Sequence, residues 1–370
     1  MRTLGKRPAG ARLERMKASS QWSDGAFRNT SGARPGLEKG TVAPTMREFL
    51  CGGQRRVPPA PLPSRSPRAE WMRTPDTGLR ATWLGHSTVL VEIDGLRLLT
   101  DPVWGERASP VSFAGPRRFQ PVPVSVAELP PLDAVLISHD HYDHLDLPTI
   151  KMLADRDMPY ITSLGVGAHL EAWGVPAERI TELDWWESVE LPGGVSVTAT
   201  PSQHFSGRAL GGRNVTLWSS LAVRGPRSSF FFSGDTGLTP EYTDVRARLG
   251  TFDLVMLEVG AFHPAWGDIH LGPANALSAL ELLGGGAFLP VHWGTFNLAM
   301  HAWDDPAETL LRLAPSRSAR LVMPRLGHPI EPSRFDRVEP WWREVTGAEP
   351  EPLPEAEVAA TEAAVQLPID

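Results

Sequence analysis

The 370-residue sequence contains a single cysteine, Cys51, so no internal disulfide framework holds it together. Its basic start is not followed by the apolar run of about 7–15 residues that marks a secretory signal. No apolar run is long enough to span a bilayer, which takes about 20 residues. A cytoplasmic protein is expected, with any membrane contact confined to the periphery. Lysine is scarce, 4 residues against 32 Arg, a bias of the kind that GC-rich bacterial genomes produce. Acidic residues are few at the start. Residues 1–73 carry a net charge of +10 and the remainder −17, which separates a basic extension from an acidic body.

Residues 1–73 are interrupted by Gly, Pro and Ser and have poor helical periodicity. They read as a partly disordered extension, as an arm for anionic lipid, or as a nucleic-acid contact. Aromatics before Trp71 number only Trp22, Phe27 and Phe49, too few for a stacking platform, so no nucleic-acid partner is expected. Residues 347–370 hold six acidic residues, no basic ones and much Ala and Pro, and read as a disordered tail. Between them, residues 74–346 form the expected folded domain. The hydrophobic fraction of 41% is ample for its core.

What is abundant is histidine chemistry in one place. Ser138-His139-Asp140-His141-Tyr142-Asp143-His144-Leu145-Asp146 packs three histidines and three aspartates into nine residues. The run before it, Asp133–Ile137, is short, apolar and β-branched, as in a buried strand. The run after it, from Leu147, reads as a helix with Pro in its first turn. The histidines therefore begin at the strand's end, where open α/β sheets place ligands. Imidazole and carboxylate suit zinc and similar divalent ions. His139 and His141 can turn to one ion, and Asp143 and His144 to a second. Two ions about 3.5–4 Å apart form a clamp used in hydrolysis.

The flanking pattern alternates strands and helices. Leu79–Leu84, Thr88–Ile93 and Leu96–Thr100 read as strands, with Asp94-Gly95 as a hairpin turn. Further strands are expected at 160–162, 195–200, 229–233, 253–258, 287–291 and 319–323. Helices are expected at 147–156, 164–173, 239–249, 273–284 and 305–314. His204, Asp235 and His292 each stand just past one of these apolar runs.

The motif His139-Asp140-His141-Tyr142-Asp143-His144 resembles the signature of the metallo-β-lactamase fold superfamily. Gln203-His204, Gly234-Asp235-Thr236-Gly237 and His292-Trp293-Gly294-Thr295 resemble its later motifs, in order. The resemblance runs from about Thr82 to His301. It implies a four-layer αββα sandwich of α/β class with a dinuclear site at the sheet edge. It implies that His139, His141 and His204 bind one ion, that Asp143, His144 and His292 bind a second, and that Asp235 bridges them. The ions implied are zinc, with iron or manganese also suited to a His/Asp set. Asp101 would brace the metal loop from behind, and His86 sits in a recurring family motif with a structural or catalytic role.

Within the superfamily, Trp83-Leu84-Gly85-His86-Ser87-Thr88-Val89, Leu99-Thr100-Asp101-Pro102-Val103, Gly260-Ala261-Phe262 and His292–Phe296 are similar to the N-acyl-phosphatidylethanolamine-hydrolysing phospholipase D branch. That likeness implies a phosphodiesterase using a metal-bound hydroxide, with Asp143 among its catalytic residues. His270 would meet the substrate phosphate as polariser or proton donor. Arg208, Phe205 and Trp218 are further candidates for substrate contact. The Gly25–Asn29 segment resembles a leader that packs on the core in bacterial relatives. The chain departs from the branch near His270: the stretch from Trp266 is shorter, Glu258 stands where Pro is expected, and His263 where an acid is expected. A lactonase or esterase acting on a small substrate, phosphorylated or not, is the alternative. A non-catalytic lipid- or nucleic-acid-binding protein with a vestigial site is another, which the complete set of seven ligands opposes.

Overall fold

The computed structural model describes residues 2–36, 40–208 and 212–345. The expected acidic tail lies outside the described residues. The chain opens with helix α1 (Ala11–Ala18), a two-stranded hairpin β1 (Trp22–Ser23) and β2 (Ala26–Phe27), and helices α2 (Val42–Cys51) and α3 (Arg68–Trp71). A six-stranded sheet follows, in spatial order β3 (Leu79–Gly85), β4 (Thr88–Ile93), β5 (Leu96–Thr100), β6 (Ala134–Ile137), β7 (Tyr160–Ser163) and β8 (Ile180–Leu183). Helices α4 (Leu147–Ala154) and α5 (Gly167–Ala172) join its parallel strands.

The second sheet has seven strands. They are β9 (Ser188–Leu191), β10 (Val195–Thr200), β11 (Ser220–Arg224), β12 (Ser229–Phe232), β13 (Leu254–Glu258), β14 (Ala287–Val291) and β15 (Arg320–Leu321), side by side in chain order. Helices α6 (Glu241–Leu249), α7 (Gly272–Leu282) and α8 (Asp305–Leu313) pack on it.

The period of two decides the layering. Ala81, Trp83, Val89, Val91, Leu98, Ala134 and Leu136 share one core with Val195, Val197, Ala199 and Leu221 of the facing sheet. Their neighbours Leu84, Leu90, Leu99, Val135 and Ile137 turn the other way, onto Ile150, Leu153 and Leu170 of α4 and α5. The result is the four-layer αββα sandwich that the motif implied. The hairpin at Asp94-Gly95 takes positive φ at both residues, 48° and 94°, as a type I′ turn requires. Asp146 caps α4 by accepting from the Thr149 amide at 3.1 Å, and Pro148 occupies its first turn.

Several boundaries differ from the sequence reading. The helix expected from 164 starts at Gly167, because the Leu164 amide is spent on the Leu183 carbonyl of β8 and the Val166 amide on a turn back to Ser163. Strand β11 begins at Ser220, two residues past Trp218, one of the residues named for substrate contact. At the N-terminus the structure seats Met16 and Phe27, 1% and 0% exposed, in a small core with Leu164, Trp185, Leu217 and Trp218. No helix among the described residues is long and apolar enough to cross a membrane.

Strand direction places the chemistry. Within the first sheet, β3, β5 and β6 end at one edge, and their next residues are His86, Asp101 and Ser138–His144. Within the second, β10, β12, β13 and β14 run the same way, and lead to His204, Asp235, Glu258 and His292. The fit between these ends is tight at Gly234. Its φ is +56°, and a Cβ there would lie 2.6 Å from the Ser138 Cβ. Gly234→Ala should therefore lose about 1–3 kcal/mol through backbone strain and displacement of the loop. Urea denaturation checks this, and an unchanged midpoint would contradict the close approach.

Candidate metal centre

Six imidazoles and two carboxylates converge at this edge. One group consists of His139, His141, His204 and Asp235, and a second of His86, Asp143, His144 and His292. Seven of these eight are the residues that the sequence motifs nominated as ligands. In the first group His139 Nε2 lies 2.9 Å from His141 Nδ1, and His204 Nε2 lies 3.2 Å from the same atom. Nitrogens bound at zinc distance in a tetrahedron stand roughly 3.3 Å apart. The spacing therefore fits three nitrogens aimed at one ion.

Asp235 stands between the groups. Its Oδ2 is 3.9 Å from His139 Nε2 and 3.7 Å from His204 Nε2, and 3.1 Å from His144 Nε2. Its Oδ1 is 3.2 Å from His292 Nε2. Asp143 Oδ2 approaches His292 Nε2 at 3.2 Å and His144 Nε2 at 3.6 Å. Two atoms in this space, His144 Nε2 and Asp235 Oδ1, are buried and aligned for no hydrogen bond. Buried polar atoms without partners are costly. A divalent ion would satisfy both, so the donor set fits a metal.

The far side of three of the imidazoles is held. His144 Nδ1 bonds Asp101 Oδ2 at 2.7 Å, and His204 Nδ1 bonds the Ile269 carbonyl at 2.8 Å. His139 Nδ1 meets Ser138 Oγ at 2.9 Å, and that hydroxyl donates to Asp101 Oδ2. These partners engage Nδ1 and leave Nε2 facing the ion space, the nitrogen each ring would offer an ion once it carries no proton. Asp101, predicted as a brace, is fully buried and also accepts from the Ser138 amide at 2.7 Å. His86, the other candidate, contacts Asp143 Oδ2 through Nε2 at 3.0 Å and stacks 4.0 Å from His292. Burial, and then the neighbouring His292, push its pKa down to about 3, so it is neutral and donates to the carboxylate. His86, Asp101, Ala261 and His292 all take positive φ, the backbone strain that collects at functional sites.

The substrate candidates separate. His270 lies between His204 and His292, with ring centroids 5.0 and 5.6 Å away. Phe205 packs on His141 and His204 at 4.4 and 4.7 Å and walls the site. Arg208 does not face the ion space. Its guanidinium is buried and donates to the carbonyls of Thr3, Asp140 and Leu145, over the Tyr142 ring. Trp218 lies in the N-terminal core and donates to Asn29 Oδ1 and the Ser202 carbonyl. His301 accepts from the Ala261 amide and stacks on Phe262, and His263 pairs with Glu48 on α2.

Glu258 is the residue that local reading passed over. It is fully buried at the end of β13. It accepts from the Leu271 amide at 2.9 Å and the Thr236 amide at 3.2 Å, and holds His270 Nδ1 at 3.0 and 3.1 Å. Burial opposes a charge on His270, but Glu258 outweighs it and raises the imidazole's pKa. The departure of Glu258 from the expected Pro was the available signal.

The two ligand groups differ in proton content. Burial, followed by neighbouring imidazoles, holds His139 well below the ordinary histidine range, and burial also lowers His141 and His204. For His144 and His292 burial is outweighed by the carboxylates of Asp235 and Asp143. His144 is raised well above its usual value, and His292 is pushed up to about 10.

Comparison with known proteins gives the same outline. The family model described as Beta-lactamase superfamily domain matches residues 96–293. A Mycobacterium tuberculosis protein is 44% identical over 354 residues, 93% of this chain and 94% of its own. N-acyl-phosphatidylethanolamine-hydrolyzing phospholipase D 1 of Caenorhabditis elegans is 36% identical over 301 residues, 77% of this chain and 84% of its own. A metal-dependent hydrolase of Pyrobaculum neutrophilum is 28% identical over 247 residues, 66% of this chain and 96% of its own. Among solved structures, the isothiocyanate hydrolase from Delia radicum gut bacteria aligns with a TM-score of 0.56 at 22% identity. It covers 68% of this chain and 98% of that one, a likeness of fold.

An ion held at the second group would have to displace protons from His144 and His292, whereas the first group offers neutral nitrogens. Metal affinity at the second group should therefore rise with pH through the neutral range. Calorimetric zinc titration in buffers of different ionisation enthalpy should detect about one to two protons released with the weaker ion. No proton release at either step would contradict the assignment.

Proposed function

The chain belongs to the β-lactamase superfamily and is a metal-dependent hydrolase. On that premise we propose a two-ion phosphodiesterase that acts on an amphiphilic, phospholipid-like diester. The observation that carries the two-ion reading is Asp235: its Oδ2 lies 3.7 and 3.9 Å from His204 and His139 of one group and 3.1 Å from His144 of the other, and its Oδ1 lies 3.2 Å from His292. Zinc ions held there would acidify a water and polarise the scissile group. The residues of the chain do the rest. Asp143, its carboxylate shared between His86 and His292, lies at the open side of the centre. His270, gripped through Nδ1 by Glu258, keeps a proton on that side and presents Nε2 for a substrate oxygen.

Two adjoining spaces support an amphiphile. A small pocket beside His292 is lined by Ala261, Trp293, Phe296 and Leu298. Leu298, Ala299 and Arg56 continue it into an open groove of about 710 Å³ that adds Val42, Met46, Trp266 and Met300. A polar head at the centre would leave an apolar tail for this groove. The name of the 36% identical nematode phospholipase supports a phosphodiester as the bond cleaved. The exposed Val42 and Met46, 56% and 55% accessible, stand beside Arg47 on α2. They would seat this face on an anionic membrane.

A second reading, a lactonase or esterase, has its own support. Glu258, which holds His270 beside the centre, and the shorter stretch before His270 depart from the phospholipase branch where substrate would sit. An assay series of aryl phosphodiester, N-acyl-phosphatidylethanolamine in mixed micelles, aryl ester and homoserine lactone separates the readings. Turnover of the diester and the lipid, lost in Asp235→Asn, is expected. Turnover of ester or lactone alone would overturn the phosphodiesterase. His270→Ala should lower kcat by about 10²–10⁴-fold, and an unchanged kcat would remove it from the chemistry. Arg47→Glu should weaken sedimentation with phosphatidylglycerol vesicles while leaving aryl diester hydrolysis intact. Equal vesicle binding would refute the membrane-facing role of α2.

A further inference from the structure

The N-terminal arm reaches into the ligand loops at points far apart in sequence. Asn29 is buried, 9% exposed. Its Oδ1 accepts from the His204 amide at 3.0 Å and from Trp218 Nε1 at 3.1 Å. Its Nδ2 donates to the His204 carbonyl at 2.8 Å and to the Ala33 carbonyl at 2.9 Å. Those four bonds use the full capacity of a side-chain amide. Both backbone groups of a proposed ligand are thus held by one side chain 175 residues away. Ser31 Oγ adds a bond to Gln203, the preceding residue.

A second set of contacts holds the other histidine loop. The Thr3 carbonyl accepts from Arg208, whose Nη1 donates to the Asp140 and Leu145 carbonyls at 2.6 and 2.7 Å. The Lys6 amide donates to His169 Nδ1 at 2.9 Å, and His169 Nε2 lies 3.4 Å from Asp140 Oδ2. Gly5 permits this approach, since a Cβ there would fall 1.9 Å from His169 Nδ1. Residues 2–36 therefore touch the loops on both sides of the first ligand group.

We infer that the arm is a working part of the metal centre and that Asn29 is a positioning residue for His204. It fixes the backbone from which the imidazole reaches the ion. Ile269 holds the other end of that ring at Nδ1, so the two contacts together set its tilt. Partners of this kind, one step behind a ligand, are worth about 10–100-fold in metal affinity. The inference rests on the reading of His204 as a ligand.

The test is zinc affinity by chelator competition, together with the absorption spectrum of the cobalt-loaded protein. Asn29→Ala should weaken the tighter zinc step by about 10–100-fold and shift the cobalt bands. Met16→Ala is the control for mere loosening, because Met16 anchors the arm through its small apolar core rather than through a bond to His204. It should lower thermal stability and leave zinc affinity within about twofold, a change small on the scale of such outer partners. Asn29→Asp covers the case in which the alanine variant does not fold. It keeps the accepting oxygen and sets a carboxylate against the His204 carbonyl, so it should also bind zinc more weakly. Wild-type affinity in a folded Asn29 variant overturns the inference. So does an equal loss in Met16→Ala, since affinity would then follow stability. His204→Ala is measured alongside. If it leaves zinc affinity unchanged, the ligand reading has failed rather than the role of Asn29.

Discussion

Crowding of ionisable groups in a dry space governs this molecule. His139, His144, His204, His292, Asp101, Asp235 and Glu258 are all nearly inaccessible to water. Burying charge costs several kcal/mol per group unless paired, and burying unpaired polar atoms costs about 1–3 kcal/mol each. Each carboxylate is accordingly shared among imidazoles, amides and hydroxyls. Backbone strain at His86, Asp101 and His292 persists because those contacts over-determine it. The strands end where they do, and Gly234 has no side chain, so that these groups meet.

Most of the frame was legible because its signals are local. Period-two alternation in β3 to β6 separates the two cores, and strands 195–200 and 287–291 have the expected bounds. The convergence of the candidate ligands was legible because each follows an apolar run and belongs to a motif. What escaped depends on contacts across long separations. Glu258 ends a hydrophobic strand and resembles any strand-terminal charge until His270 is brought to it by the loop of 259–271. Asn29 looks like a turn residue in a Gly-rich segment, and its partner is 175 positions away. Arg208 and Trp218 follow His204 closely, and sequence proximity suggested substrate contact. The chain turns both away from the ion space, one to cap loop carbonyls and the other into the core.

On the proposed reading, selectivity for a bond type would rest on a different layer from the ligands. The histidines and aspartates can hold ions in any hydrolase of this plan. Glu258, His270, Phe205 and the groove between α2 and residues 297–300 vary the surroundings of the reacting group. The arm contributes on both counts, because α2 forms one bank of the groove while Asn29 holds His204. The basic extension is thereby tied to the centre in space, although its composition sets it apart from the acidic body.

The central claim is that Asp235 joins two ions in one centre. Electron paramagnetic resonance of the manganese-loaded protein tests it most directly, combined with metal counting by mass spectrometry. Two ions per chain with an exchange-coupled spectrum, lost in Asp235→Asn, are the predicted result. One ion per chain, or two with uncoupled spectra, would contradict it.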